Sequence, residues 1–510
     1  MKIANHEVID TTVTNEEVIT PMIEAKKRFF SPLEIIAIGI TILLVVVLLL
    51  TSISTVGKDF VESNLDDYIH AGIVTEIYNK PVSETGRAER QTPFGAVSGS
   101  YQLLMEPNSS EEEVKSVNNL FQFVVPKIHA LSDRHNYYSE ATIYPDGYFV
   151  EPLIATEIPF AAKVVSNDLA NSPEVKSSPR INNLRVINES LNMGPVEVPY
   201  DLYHLLQVSV DLTIKTNSAF NLFIGELSLW WNEQIDSNKT PYPLESEPLA
   251  NETNRAHLNK LQSYIPLTSE EINETLKFIE KDNKYYVDFS SAKANVGELS
   301  ITLGGIAKGY ANEVLVNCLT KAELNRGLFF GAGSSIDVLS HYFNANEGWN
   351  ITVTSNSVAS KENGYNTEAF GISFNNAPFS LSTSGGDQIG QNYYFTTVEG
   401  VTYHRHHIID ARTGEPANYK IVDVNIISSV LTSYELDAIT TALMCMSVEA
   451  GEELVKQINE AKAAEVGQGD VALRACWLTR EKYGAPFKAF ATNEYFDYVV
   501  PLNNIKISKI

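Results

Sequence analysis

The sequence predicts an α+β protein in which one N-terminal transmembrane helix precedes a large extracytoplasmic body. Three observations carry that reading. Residues 35–56 read IIAIGITILLVVVLLLTSISTV and contain no charged side chain, enough to cross a bilayer of about 30 Å as a helix. The 510-residue chain as a whole has ordinary globular composition, 44% hydrophobic and 20% charged, and so can bury a core. Strand-like and helix-like segments then interleave without regular βαβ repetition.

In chain order, residues 1–32 are polar and Thr/Glu-rich and read as a cytoplasmic tail. Lys26, Lys27 and Arg28 precede the 33–56 span and place the N-terminus in the cytoplasm. The long charged stretch before the span and the absence of a small-x-small site argue against a cleaved signal peptide. Residues 57–88 are polar, with helical fragments such as VESNLDDYIHAGIVTEIY, and read as a membrane-proximal stalk; the body occupies 89–510. Within it SGSYQLLME is a strand. SEEEVKSVNNLFQFVVPKIHAL is a helix opened by a capping box from Ser110 to Glu113. YDLYHLLQVSVDLTIKT and GIAKGYANEVLVNCLTKAEL are further helices, IVDVNIIS is a strand, and SYELDAITTALMCM is a helix. Residues 139–180 and 233–275 are polar, turn-rich and read as insertions.

The net charge of -25 disfavours binding to a phosphate backbone. Cys318, Cys445 and Cys476 are too few and too widely spaced for a disulfide framework or a zinc site and read as small buried hydrophobes.

Four segments carry candidate chemistry. In ITLGGIAKGYANEVL, residues 301–315, a strand runs through Gly304-Gly305 straight into a helix. Glycines let the backbone approach a ligand, and free N–H groups at a helix start suit a phosphate. Lys308 in the first turn opposes the helix dipole, which an anionic ligand would explain; the alternative is a tight turn with an exposed lysine. Next come SLSTSGGDQIG, residues 380–390, and HRHHIIDARTGEP, residues 404–416. His404, His406 and His407 alternate faces in an extended strand and cannot all converge on one ion. One of them could act as a base or phosphate contact, or the segment could be an edge strand and turn. Thr432 and Glu435 have capping-box spacing, and Asp437 and Thr441 share the i, i+4 face of the helix they open. That pair offers hard oxygens suited to magnesium, or Asp437 satisfies first-turn N–H groups. The aromatic run NSAFNLFIGELSLWWN, residues 217–232, is either core or a platform for a flavin or adenine ring.

Taken in order, these segments resemble the ApbE-type flavin transferases. The family's GAF-D-x-x-x-G-x-L-x-x-LW segment is matched by Ser218 through Trp230, and its D-L-G-G-I-A-K-G-Y-A by Thr302 through Ala311. N-A-G-G-D-I is matched by Gly331 through Ile336, S-T-S-G-D by Ser382 through Asp387, H-I-I-D-P-R-T-G by His407 through Gly414, and D-x-x-x-T by Asp437 and Thr441. The resemblance implies an ApbE-like, T-fold-related catalytic domain that uses Mg2+ to move the FMN half of FAD onto a Ser or Thr of an extracytoplasmic acceptor protein, releasing AMP. By that resemblance Asp437 and Thr441 hold magnesium through side-chain oxygens, Gly305 through its backbone carbonyl, and Thr440 assists. Ala219, Phe220 and Asn221 meet the flavin side of FAD, Lys308 its phosphates or adenosine, and Ile409 the cofactor through its backbone. His407 is the candidate base, working with the catalytic Asp437, while Phe94 and His135 fall where FAD contacts begin. Thr302 replaces the family Asp near FAD, Asn221 replaces an Asp, and Ser334-Ser335 replaces Gly-Asp. Rival readings are an FAD pyrophosphatase that gives FMN and AMP, and a non-catalytic FAD-binding protein.

Overall fold

The computed structural model describes residues 68–74, 77–78, 90–91, 94, 101–138, 180–237, 247–331, 334–342, 348–354, 368–374, 377–386, 392–397, 400–467, 470–481, 485–502 and 505–510. The chain divides between residues 60 and 61 into two units. The first, with the predicted tail and transmembrane helix, lies outside the described residues, as do residues 139–179 of the insertion predicted at 139–180. Among the described residues no helix is long and apolar enough to cross a membrane.

A nine-stranded sheet organises the second unit, and its strands lie side by side in chain order. They are β1 (Ile69–Val74), β2 (Tyr101–Met105), β3 (Leu328–Gly331), β4 (Ser335–Val338), β5 (Phe379–Gly385), β6 (Ile421–Ser428), β7 (Arg474–Thr479), β8 (Lys488–Ala491) and β9 (Lys506–Lys509). Every neighbouring pair is antiparallel except β8–β9. The α+β expectation therefore holds. The stalk predicted for 57–88 does not hold at 69–74, because this segment pairs with Tyr101–Met105 as the edge strand of the sheet, with Tyr68 and Ala71 buried. Its helical appearance is overridden because a strand's hydrogen-bond partner is distant in sequence and invisible to local periodicity.

The helices are α1 (Glu111–Ser132), α2 (Tyr200–Lys215), α3 (Gly225–Ser237), α4 (Ala307–Lys321) and α5 (Ser433–Met444); all but α3, which forms where the sequence shows only an aromatic run, follow the predicted periodicities. The capping boxes Ser110/Glu113 and Thr432/Glu435 are both formed, which satisfies first-turn N–H groups of α1 and α5. Helices α1, α4 and α5 pack against one another and against the sheet, α1 at β1 and α5 over β5 and β6. The opposite face buries Leu104, Ile336, Leu381 and Cys476 against a three-stranded sheet of Trp349–Thr354, Glu368–Phe374 and Val499–Pro501. With both faces covered, all eight residues of β6 are buried. The three cysteines are buried free thiols, as expected.

The stretch at 233–275, read as an insertion, packs onto the body in its described part. Its described part forms helices Glu252–Ser263 and Ser269–Thr275, which bury Leu258, Leu261 and Ile272. The turn between them binds the aromatic segment: Ser218 Oγ donates to Leu267 O at 2.9 Å, and Asn221 Nδ2 to Pro266 O at 3.0 Å.

Candidate active site

The close approach of α4 and α5 builds the site. A Cβ on Gly309 would lie 2.2 Å from Ser433 O, so only glycine lets the two helix starts meet. That contact delivers Asp437 of α5 to the start of α4, where its Oδ2 accepts the Gly309 N–H at 3.0 Å. Asp437 is thus an N-terminal cap after all, but of the neighbouring helix rather than its own. Its carboxylate is 2% exposed, and Oδ1 lies 3.7 Å from Lys308 Nζ. Lys308, 19% exposed, also donates to Gly304 O at 3.2 Å. A first-turn lysine is tolerated because this carboxylate offsets both the dipole and the ammonium.

Thr441 Oγ1 donates to Asp437 O at 3.2 Å, which leaves its lone pairs facing outward. Gly305 sits against that oxygen: a Cβ there would lie 3.0 Å from Thr441 Oγ1 and 3.4 Å from the Phe220 ring. Thr440 Oγ1 donates to Asp437 O at 2.9 Å and accepts from Ser384 Oγ at 2.8 Å. Ser384 also lies 3.4 Å from Thr441 Oγ1, and Ser382 lies 3.4 Å from Thr440 Oγ1. Ser382 and Ser384 stand in the segment matched to S-T-S-G-D, where the sequence assigns them no role. Their signal was the period-two run Ser380, Ser382, Ser384, which turns three hydroxyls to the face covered by α5.

The histidines separate as the strand predicts. His404 and His406 are buried, with rings 4.6 Å apart, whereas His407 follows the end of the strand Thr402–His406. Burial, and then the nearby Lys308 charge, lowers His407 to about 4, so it is neutral near pH 7. Its Nδ1 is buried with no hydrogen-bond partner among the described residues. Ile409 is buried, and its carbonyl accepts from Cys445 Sγ at the end of α5. The guanidinium of Arg412 clamps Asp410 at 2.8 Å through both Nε and Nη2 and reaches the Cys445 carbonyl. This ties the histidine turn to the C-terminus of the helix that carries Asp437.

The other predicted residues are placed more loosely. Ala219 and Phe220 are buried in the loop before α3. The Asn221 amide is turned inward, donating to Pro266 O and accepting the Phe223 N–H at 2.8 Å, so its side chain closes the loop. Thr302 bonds through its N–H to Leu222 O at 2.8 Å, which fastens the glycine turn to the same loop. Phe94 lies 5.6 Å from Tyr101, whose hydroxyl meets Lys308 O at 2.9 Å, so Phe94 borders the start of α4. His135 is exposed, its backbone held by Asp133 and Arg185, and no described contact joins it to the Asp437 cluster.

Among the described residues no three His, Cys, Asp or Glu side chains gather as a metal cage. The donor set here is the Asp437 carboxylate, the Thr441 hydroxyl and the backbone of Gly305, where an added Cβ would stand 3.0 Å from that hydroxyl. These are hard oxygens, which fit a magnesium ion that also takes ligands from substrate phosphates.

The family model for the ApbE family matches residues 166–464. The FAD:protein FMN transferase of Klebsiella pneumoniae is 24% identical over 56% of this chain and 70% of its own length. The Escherichia coli protein of the same name is 22% identical over 60% of this chain and 74% of its own. The flavin transferase ApbE of Vibrio cholerae, a solved structure, is 16% identical over 78% of this chain and 94% of that one, with a TM-score of 0.47. The family match takes in every segment of the site from the aromatic loop to α5 and more than half of the sequence: this chain belongs to the ApbE family.

Proposed function

We propose that this chain is a magnesium-dependent FAD:protein FMN transferase, held in the cell membrane by residues 33–56 and acting on a Ser or Thr of an extracytoplasmic acceptor protein. The observation that carries the reading is the meeting of three sequence-distant segments around Asp437: Gly305 against Thr441, Asp437 on the Gly309 N–H, and Lys308 beside Asp437 and close enough to His407 to lower its basicity. The names of the relatives support the substrate and product. The uncharged run at 35–56 behind Lys26, Lys27 and Arg28 supports the membrane placement.

Asp437, Thr441 and the Gly305 backbone would hold the magnesium, with Thr440 and Ser384 fixing the Thr441 turn. A bound magnesium withdraws charge from the FAD pyrophosphate. Lys308 and the N–H groups at the start of α4 present positive potential to the same phosphates. His407, neutral with an open Nδ1, takes the proton of the acceptor hydroxyl. The hydroxyl oxygen bonds to the FMN phosphorus, the bond from that phosphorus to the bridging oxygen breaks, and AMP leaves with that oxygen.

The test is co-expression of the full chain with candidate extracytoplasmic proteins in a host lacking its own flavin transferase. In-gel flavin fluorescence and intact mass would show an acceptor that gains one FMN, and Asp437→Ala would abolish the gain. Free FMN and AMP without labelled protein would mean hydrolysis. FAD bound without AMP release would reduce the chain to a binding protein. Protease digestion of intact cells checks the placement of the body.

A further inference from the structure

We infer that His406 is a positioning residue that sets the orientation of His407 by bridging over it; the inference rests on the reading of His407 as the base. His406 is fully buried, and its ring makes three contacts to three different segments. Its Nε2 lies 2.9 Å from Ala417 O, so this nitrogen carries the proton and donates. Its Nδ1 is therefore the acceptor, and it takes the Ile408 N–H at 3.2 Å. That bond runs from residue i to the backbone of i+2 and closes a side-chain turn around His407. The flat of the ring lies against Gly386, where a Cβ would stand 2.7 Å from both Cγ and Cδ2. Gly386 cannot easily withdraw, because its own N–H is held by Val422 O at 2.8 Å.

One ring therefore fixes the peptide that follows His407, the residue just after the strand Glu415–Pro416, and the residue just after β5, the strand whose Ser384 steadies Thr440. Both ring nitrogens are occupied, so His406 has no lone pair to offer a substrate, and its part in the reaction is geometric. Burial and the neighbouring histidines hold it well below the usual histidine range, which keeps this tautomer in place across the working pH.

Two substitutions divide the contacts. In His406→Asn, Oδ1 stands where Nδ1 was and keeps the Ile408 bond while losing Ala417. In His406→Gln, Nε2 stands where the ring Nε2 was and keeps Ala417 while losing Ile408. The full chain is assayed with FAD, MgCl2 and an acceptor protein that the wild type labels in co-expression, by AMP release and FMN gained by the acceptor, with FAD affinity read from flavin fluorescence and stability from melting. His406→Gln is expected to lower kcat by on the order of 10²-fold, the scale of a ~1 Å misplacement, at unchanged FAD affinity. His406→Asn should recover most of that loss, although both variants melt earlier than wild type. Gly386→Ala should lower kcat as Gln does, because the new methyl displaces the ring. Hydrogen exchange at the Ile408 amide reads the same bond without turnover: slow in wild type and Asn, fast in Gln. Wild-type chain that transfers no FMN to any acceptor sinks the transferase reading. Wild-type turnover with Gln equally active, or with Asn and Gln losing kcat together in step with melting temperature, overturns the positioning role.

Discussion

Gly309→Ala is the substitution for which local and tertiary physics disagree in sign. In a helix interior alanine is favoured over glycine by about 1 kcal/mol, so propensity alone predicts a more stable protein. The fold predicts the reverse. The new Cβ would stand 2.2 Å from Ser433 O and 2.8 Å from Tyr434 Cα, both backbone atoms of the first turn of α5. Restoring even a tight contact of 3.0 Å requires α4 and α5 to separate by most of an ångström. The turn that must yield is fixed by the Thr432/Glu435 capping box and by Ser433 Oγ donating to Asp337 at 2.6 Å. Overpacking of this kind costs about 1–3 kcal/mol, which outweighs the propensity gain. The separation also stretches the 3.0 Å bond from Gly309 N–H to Asp437 beyond hydrogen-bond reach, so turnover suffers more than stability. We expect a lower denaturation midpoint together with a drop in kcat on the order of 10²-fold. Guanidinium titration and AMP release from FAD measure the two. A variant that melts higher than wild type and retains its turnover would refute the reasoning that glycine here exists to bring two helix starts together.

Asp437→Asn can still accept the Gly309 N–H but has no charge for a cation; millimolar Mg2+ should raise the melting temperature of wild type and leave this variant unmoved, and a chelator should stop AMP release by wild type. For His407, lowered to about 4, the acid limb of kcat/KM should fall near pH 4 rather than near 6.5, as a pH–rate profile would reveal. Because His404, His406 and His407 are all lowered by burial, the unfolded chain takes up protons first; stability is full above pH 6.5 and declines as pH falls toward 4, which acid-denaturation curves would follow. Lys127 Nζ and Asp201 Oδ2 form a buried pair at 2.6 Å, and Lys127→Met should cost about 3–5 kcal/mol in denaturant titrations because it strands the carboxylate.

The strongest local signals carried furthest. Thr432 and Glu435, and Ser110 and Glu113, announce helix starts because a capping box is written within four residues, and both boxes form. The helical and strand periods of YDLYHLLQVSVDLTIK and IVDVNIIS likewise appear at the predicted positions. The pairing of Asp437 with Thr441 on one helix face was legible for the same reason. Asn221 was legible as a motif position but not in orientation, since its amide is claimed by Pro266, 45 residues away. Residues 69–74 looked helical and became a sheet edge, because the strand they pair with lies beyond residue 100.

The sequence by itself determined the helices and their caps, the order of the motifs, the free cysteines, and the oxygen chemistry available at Asp437 and Thr441. Only the tertiary structure decided what Asp437 caps, which neighbour makes Lys308 tolerable, and that His406 is spent on backbone while His407 keeps an open nitrogen. The physical reason is range. Capping and periodicity act within one or two turns, whereas the packing of Gly309 against Ser433 and of Gly386 against His406 joins residues that no local pattern connects.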